Sequence, residues 1–64
     1  MIRVKAHYGR TWRSWDFHTP ENAQAHVNQL ALYGFDVTSK AGVVTRIPAG
    51  RLTKITRRRL PPRG

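Results

Sequence analysis

Between Thr19 and Gly34 the chain punctuates one helix at both ends, and the residues before it alternate with a period of two. Thr19 can accept from the free amides of a first turn. Pro20 suits the first helical position, where its missing N–H is not needed, and Glu21 complements the positive helix end. Ala23, Val27, Leu30 and Ala31 then recur on one stripe, with Gly34 on the same side. Gly34 is expected to stop the helix in a left-handed conformation, with Phe35 packing back on Leu30. The spacing predicts a helix from about Pro20 to Tyr33. A lone helix with one apolar stripe must bury it against a second layer, and the flanking segments have to supply that layer.

Ile2, Val4, Ala6 and Tyr8 alternate with Arg3, Lys5 and His7, the pattern of a strand with one buried face. Gly9-Arg10 reads as a turn. A second strand from Thr11 to His18 puts Arg13, Trp15 and Phe17 on one face and Trp12, Ser14, Asp16 and His18 on the other. Beyond the helix, Phe35 to Lys40 reads as a third strand, Ala41-Gly42 as a turn and Val43 to Ile47 as a fourth. Pro48-Ala49-Gly50 interrupts the run. Leu52 and Ile55 stand three apart, a poor strand spacing, so a turn or bulge is expected before a fifth strand near Thr53 to Arg58. The expected fold is α+β: one small, mainly antiparallel sheet in the order ββαββ, with room for a fifth strand and the helix on one face. One domain is expected over residues 1–56. Residues 57–64, from Arg57-Arg58-Arg59 to Gly64, are expected to form a basic, flexible tail.

A chain of 64 residues can bury only about 60% of the surface its unfolded form exposes, so its core is marginal. With no cysteine, neither a disulfide nor a thiolate-bound metal can make up the shortfall. Homodimerisation is one way to bury more surface, by edge pairing or through apolar residues such as Leu32 and Tyr33. No stretch approaches the roughly 20 apolar residues of a membrane span. The first residues alternate in polarity and lack the apolar block of a signal peptide. A cytoplasmic protein without membrane contact is expected.

Charge constrains function more than any motif does. Twelve Lys and Arg face only Asp16, Glu21 and Asp36, a net charge of +9. No acidic residue follows Asp36, whereas Arg46, Arg51, Lys54, Arg57, Arg58, Arg59 and Arg63 all do. Solubility alone asks for a net charge of about 2–8 in a small domain. A field of this sign favours polyanions by counterion release, and it also favours acidic protein surfaces. The helix carries no Lys or Arg between Pro20 and Tyr33, which argues against a recognition helix in the major groove. The candidate phosphate contacts are therefore Arg3, Lys5, Arg46, Arg51, Lys54, Arg57, Arg58 and Arg59. The bland alternative for the C-terminal arginines is a solvated run that blunts a sheet edge.

Trp12 shares the outer strand face with Arg3, Lys5 and His7, and an exposed ring among cations suits the stacking of unpaired bases. Such a ring also suits a protein interface. Against both, a one-residue bulge would turn Trp12 inward, and two tryptophans in so short a chain are each expected to be at least half buried. His7, His18 and His26 match no metal-site spacing, and neither a metal nor a cofactor is expected. Glu21 and Asp36 are accounted for at the helix ends, and Asp16 is placed to pair with Arg3, Lys5 or Arg13. No nucleophile–base arrangement and no phosphate loop is visible, so no enzyme activity is expected.

The segment Val43-Val44-Thr45-Arg46-Ile47-Pro48-Ala49-Gly50-Arg51-Leu52-Thr53-Lys54-Ile55 resembles the close of many small uncharacterised proteins of actinobacteria and their phages. The basic hairpin with its aromatic pair, Thr19-Pro20-Glu21, the alanine-bearing helix and Gly34-Phe35 resemble the same group. The likeness spans roughly residues 2 to 56. It implies a compact hairpin–helix–hairpin protein of phage accessory type, working in the host cytoplasm if phage-encoded and often acting by binding host machinery. Two functions stay open: a non-catalytic binder of DNA or RNA, favoured by charge, and an accessory protein that binds and modulates an acidic host protein.

Overall fold

The computed structural model describes residues 1–61. The elements run β1 (Ile2–Tyr8), β2 (Thr11–Phe17), α1 (Pro20–Tyr33), β3 (Phe35–Thr38), β4 (Val44–Ile47) and β5 (Leu52–Arg59), with a 3₁₀ turn at Ala49–Arg51. β1 is the centre of a three-stranded antiparallel sheet in the order β2-β1-β5, and β3 and β4 form a separate antiparallel hairpin.

The helix has the predicted bounds, and Thr19 Oγ1 accepts from the Asn22 amide at 3.2 Å. Its stripe is narrower than the sequence suggests. Ala23 and Leu30 are fully buried and Val27 partly so, but Ala31 is exposed. These residues pack on Ile2, Val4 and Ala6 of β1, with Phe35 and Ile47 closing one end of the core. The ring of Phe35 meets Tyr8 and Trp15 edge-on, at centroid distances of 5.4 and 5.1 Å. Each such large side chain contributes about 1.5–3 kcal/mol on burial, so few of them can be lost from so small a core.

Three expectations need correction. The strands form two sheets, not one. Only Gly34 separates α1 from β3, so β3 starts at the end of the helix layer, with no connecting chain to carry it to a sheet edge. Gly34 stops the helix with a positive φ of 77°, but its ψ of −149° lies outside the left-handed helical well. Its amide donates to the Leu30 carbonyl at 3.0 Å. Third, Arg57, Arg58 and Arg59 are strand residues, paired with Val4, Arg3 and Ile2, so no tail begins at residue 57. The Leu60 amide adds one more bond, to the Met1 carbonyl at 2.9 Å. For Pro62, Arg63 and Gly64 the tail expectation lies outside the described residues.

The odd spacing of Leu52 and Ile55 has a local cause. The β1–β5 register shifts between His7, opposite Lys54, and Tyr8, opposite Leu52, which leaves Thr53 as an extra residue in β5. Its hydroxyl donates to the His7 carbonyl at 3.2 Å. The bulge lets Leu52 and Ile55 both reach the core although they stand three apart.

Candidate functional site

Residues directly opposite in antiparallel strands share a face, so the register sorts every side chain of the three-stranded sheet. The helix side carries the rows Phe17–Ile2–Arg59, Trp15–Val4–Arg57 and Arg13–Ala6–Ile55. The outer side carries Asp16–Arg3–Arg58, Ser14–Lys5–Thr56 and Trp12–His7–Lys54. The helix covers the first side. Among the described residues no element packs on the second.

Four cations, Arg3, Lys5, Lys54 and Arg58, thus share an open face with one carboxylate, Asp16. Arg3 binds that carboxylate in a fork, with Nε to Oδ1 at 2.9 Å and an Nη to Oδ2 at 3.2 Å. The hydrogen bond from Arg3 holds Asp16 below the usual carboxylate range. On its other flank Arg3 stands opposite Arg58, and directly opposed like charges destabilise a strand pair. Lys5 lies over the Trp12 ring, with Nζ 4.5 Å from the centroid, a cation–π contact. A shallow groove of about 300 Å³ runs between β1 and β5, lined by Arg3, Lys5, His7, Thr56, Arg58 and Leu60.

Trp12 is 51% exposed and the β1–β2 ladder carries no bulge, so the inward rotation considered for it does not occur. Trp15, two residues on, enters the core and packs on His26 and Phe35.

Not every candidate cation reaches this face. Arg57 and Arg59 project to the helix side, where Arg57 donates to the side-chain oxygen of Gln24 and both line a small cleft with Ile2 and Pro20. Arg46 sits on β4, paired with Asp36 at 2.7 Å and donating to the Tyr33 carbonyl at 2.9 Å. Arg51 closes the 3₁₀ turn. The structure therefore brings together Arg3, Lys5, Trp12, Lys54 and Arg58, and sets Arg46, Arg51, Arg57 and Arg59 apart from them.

The histidines are also dispersed. His7 is on the open face, whereas His26 is held between Trp15 and Phe17, with ring centroids 4.5 and 5.1 Å away. Its Nε2 is buried without a partner, and burial lowers its pKa. Among the described residues no three of His, Asp and Glu come together as a metal site, and no helix is long and apolar enough to cross a membrane.

No protein-family model, curated protein or solved structure matches the chain.

Ser14, Thr56 and Leu60 belong to this surface and were not among the sequence candidates. Ser14 could be found, since it alternates with Trp12 and Asp16. Thr56 and Leu60 join only through the pairing of β5 with β1, which no local pattern encodes.

Proposed function

We propose that the protein is a non-catalytic nucleic-acid-binding module that uses the outer face of the β2-β1-β5 sheet. The observation that carries this reading is the opposition of Arg3 and Arg58 on a face that no described element covers, with Lys5 and Lys54 beside them. Asp16 offsets part of this repulsion through its fork to Arg3, but among the described residues no further carboxylate shares the face with Arg58, Lys5 and Lys54. A polyanion relieves the remaining repulsion, because each phosphate is held between the cations, which displace the counterions condensed on the nucleic acid. The face is roughly 20 Å long and 10 Å wide, judged from strand rise and spacing, which suits a few nucleotides. The helix, with Glu21 as its one charged residue, adds nothing to this field, so contacts come from strands and not from a groove-reading helix.

The test is fluorescence-anisotropy titration of labelled DNA and RNA of unrelated sequences, at low salt and near physiological salt. Sub-micromolar binding that persists at the higher salt, with similar log–log slopes for all sequences, supports the reading. Replacing Lys54 and Arg58 together by Ala should then weaken all the complexes alike. Binding that vanishes near physiological salt refutes the reading and turns attention to an acidic protein partner.

A further inference from the structure

We infer that the ligand is a single strand, laid along the sheet with its phosphates over the β1–β5 groove and its bases turned toward β2, one of them stacked on Trp12. This rests on the nucleic-acid reading above and adds strandedness and orientation to it.

The face is chemically lopsided. Its cations lie on β1 and β5, where Arg3, Lys5 and Arg58 line the groove and Lys54 stands opposite His7 on the same face. Its β2 margin carries Trp12, Ser14 and Asp16, without a cation. A phosphate is attracted to the first side, and the second, whose carboxylate is already held by Arg3, offers it no cation. A base has the opposite preferences, since a carboxylate can accept from an exocyclic amino group and an aromatic ring offers a stacking surface.

Trp12 decides strandedness. In a duplex the base faces are covered by neighbouring pairs, so a ring on a flat sheet has nothing to stack on. In a single strand every base has a free face, and stacking is tolerant of sequence. Trp12 and Arg3 sit four residues apart along paired strands, about 13 Å, so a chain can be stacked at one end of the face and held through phosphate at the other. Ser14 and Thr56 flank Lys5 in the middle row and offer hydroxyls to sugar or base.

The experiment uses the full chain and four labelled probes: a short single-stranded DNA, its RNA counterpart, the DNA duplex, and an abasic deoxyribose-phosphate oligomer of equal length. Single strands are expected to bind at least about tenfold more tightly than duplex. Trp12→Ala should weaken single strands by about 5- to 150-fold and leave the abasic oligomer and the salt slope unchanged. Trp12→Phe, which keeps a ring, should recover most of the loss. K54A/R58A should lower the salt slope by about 1.4 for single strands and abasic oligomer alike. Circular dichroism of each variant separates loss of binding from loss of fold. Both the DNA and the RNA single strand are expected to bind more tightly than the duplex, which supports the single-strand assignment. Duplex bound as tightly as single strands, or Trp12→Ala acting equally on base-bearing and abasic probes, overturns the inference and leaves the nucleic-acid reading standing. No binding to any probe near physiological salt overturns both.

Discussion

Gly34 is the position where a single added methyl group should do most harm. Its φ of 77° and ψ of −149° place it close to a region essentially closed to side-chain-bearing residues, which alone costs about 1–3 kcal/mol. The larger penalty is contact. A Cβ built there would lie 1.8 Å from the Ile47 carbonyl oxygen and 2.9 Å from the Ala49 amide nitrogen. Both obstacles are backbone, so no side-chain rotation relieves them, and β4 must retreat by more than an ångström. Phe35 and Ile47, which pair across the hairpin and are both core residues, would move with it. Losing much of the burial of two such side chains costs about 1.5–3 kcal/mol each. Against a total stability of about 3–10 kcal/mol for a domain of this size, Gly34→Ala should unfold the protein or free the hairpin from the core.

Gly42→Ala is the matched control, because Gly42 has a φ of 83° but open space around its Cβ. Its cost is expected to be backbone strain alone. Urea unfolding followed by far-ultraviolet circular dichroism and by tryptophan fluorescence compares the two, and fluorescence is informative because Trp15 touches Phe35. If Gly34→Ala falls within about 1 kcal/mol of Gly42→Ala, the close approach of Gly34 to β4 is not what limits this position, and the packing account of the helix end is wrong.

Three further outcomes are expected. Burial lowers the His26 pKa below the ordinary 6.5, so as the pH falls the unfolded chain takes up the proton first. Stability should therefore be complete above that range and fall as pH drops through it; urea midpoints between about pH 8 and 5 for the wild type and His26→Leu check this, the variant losing that part of the slope. Asp16→Asn removes the one carboxylate of the open face and frees Arg3, so nucleic-acid affinity should rise and the salt slope steepen by up to about 0.7 for a single strand; an unchanged slope in anisotropy titrations counts against Arg3 as a phosphate contact. Leu30→Ala empties the centre of the core and should cost about 2–5 kcal/mol by urea unfolding, a large share of the total, whereas a loss below about 1 kcal/mol would show a core that collapses onto the gap.

The legible parts of the fold were those with local causes. Helix α1 starts and stops where Thr19, Pro20 and Gly34 act on their own neighbours, and β1 and β2 announce their inner faces by alternation. That alternation also placed Trp12, Arg3, Lys5 and His7 on one surface. The partnership of β1 with β5 was not legible, because it joins residues more than forty positions apart and the bulge at Thr53 breaks the period that would have advertised it. The division into two sheets was hidden for a different reason. It follows from the missing linker between α1 and β3, a geometric constraint that hydrophobic patterning does not express. Ala31 misled because a small apolar residue at the margin of a stripe can face either way, and here it faces solvent.

The three consecutive arginines of β5 divide between the fold and the proposed binding surface. In β5 the pleat sends Arg58 to the open face and Arg57 and Arg59 to the helix side, where inner positions of an edge strand are normally apolar. Inward-facing charge on an edge strand discourages pairing with other chains, and the long arginine stems still cover apolar surface while their heads reach solvent or, for Arg57, Gln24. Arg57 and Arg59 thus have a structural reason to be basic that needs no ligand. Arg58 also adds charge to an edge strand, but it does so facing Arg3 across the ladder, where like charges oppose each other. The edge-protection and phosphate-contact explanations therefore do not compete for the whole run. They divide it by face, and the proposed binding function rests on the middle arginine and its neighbours on the open sheet.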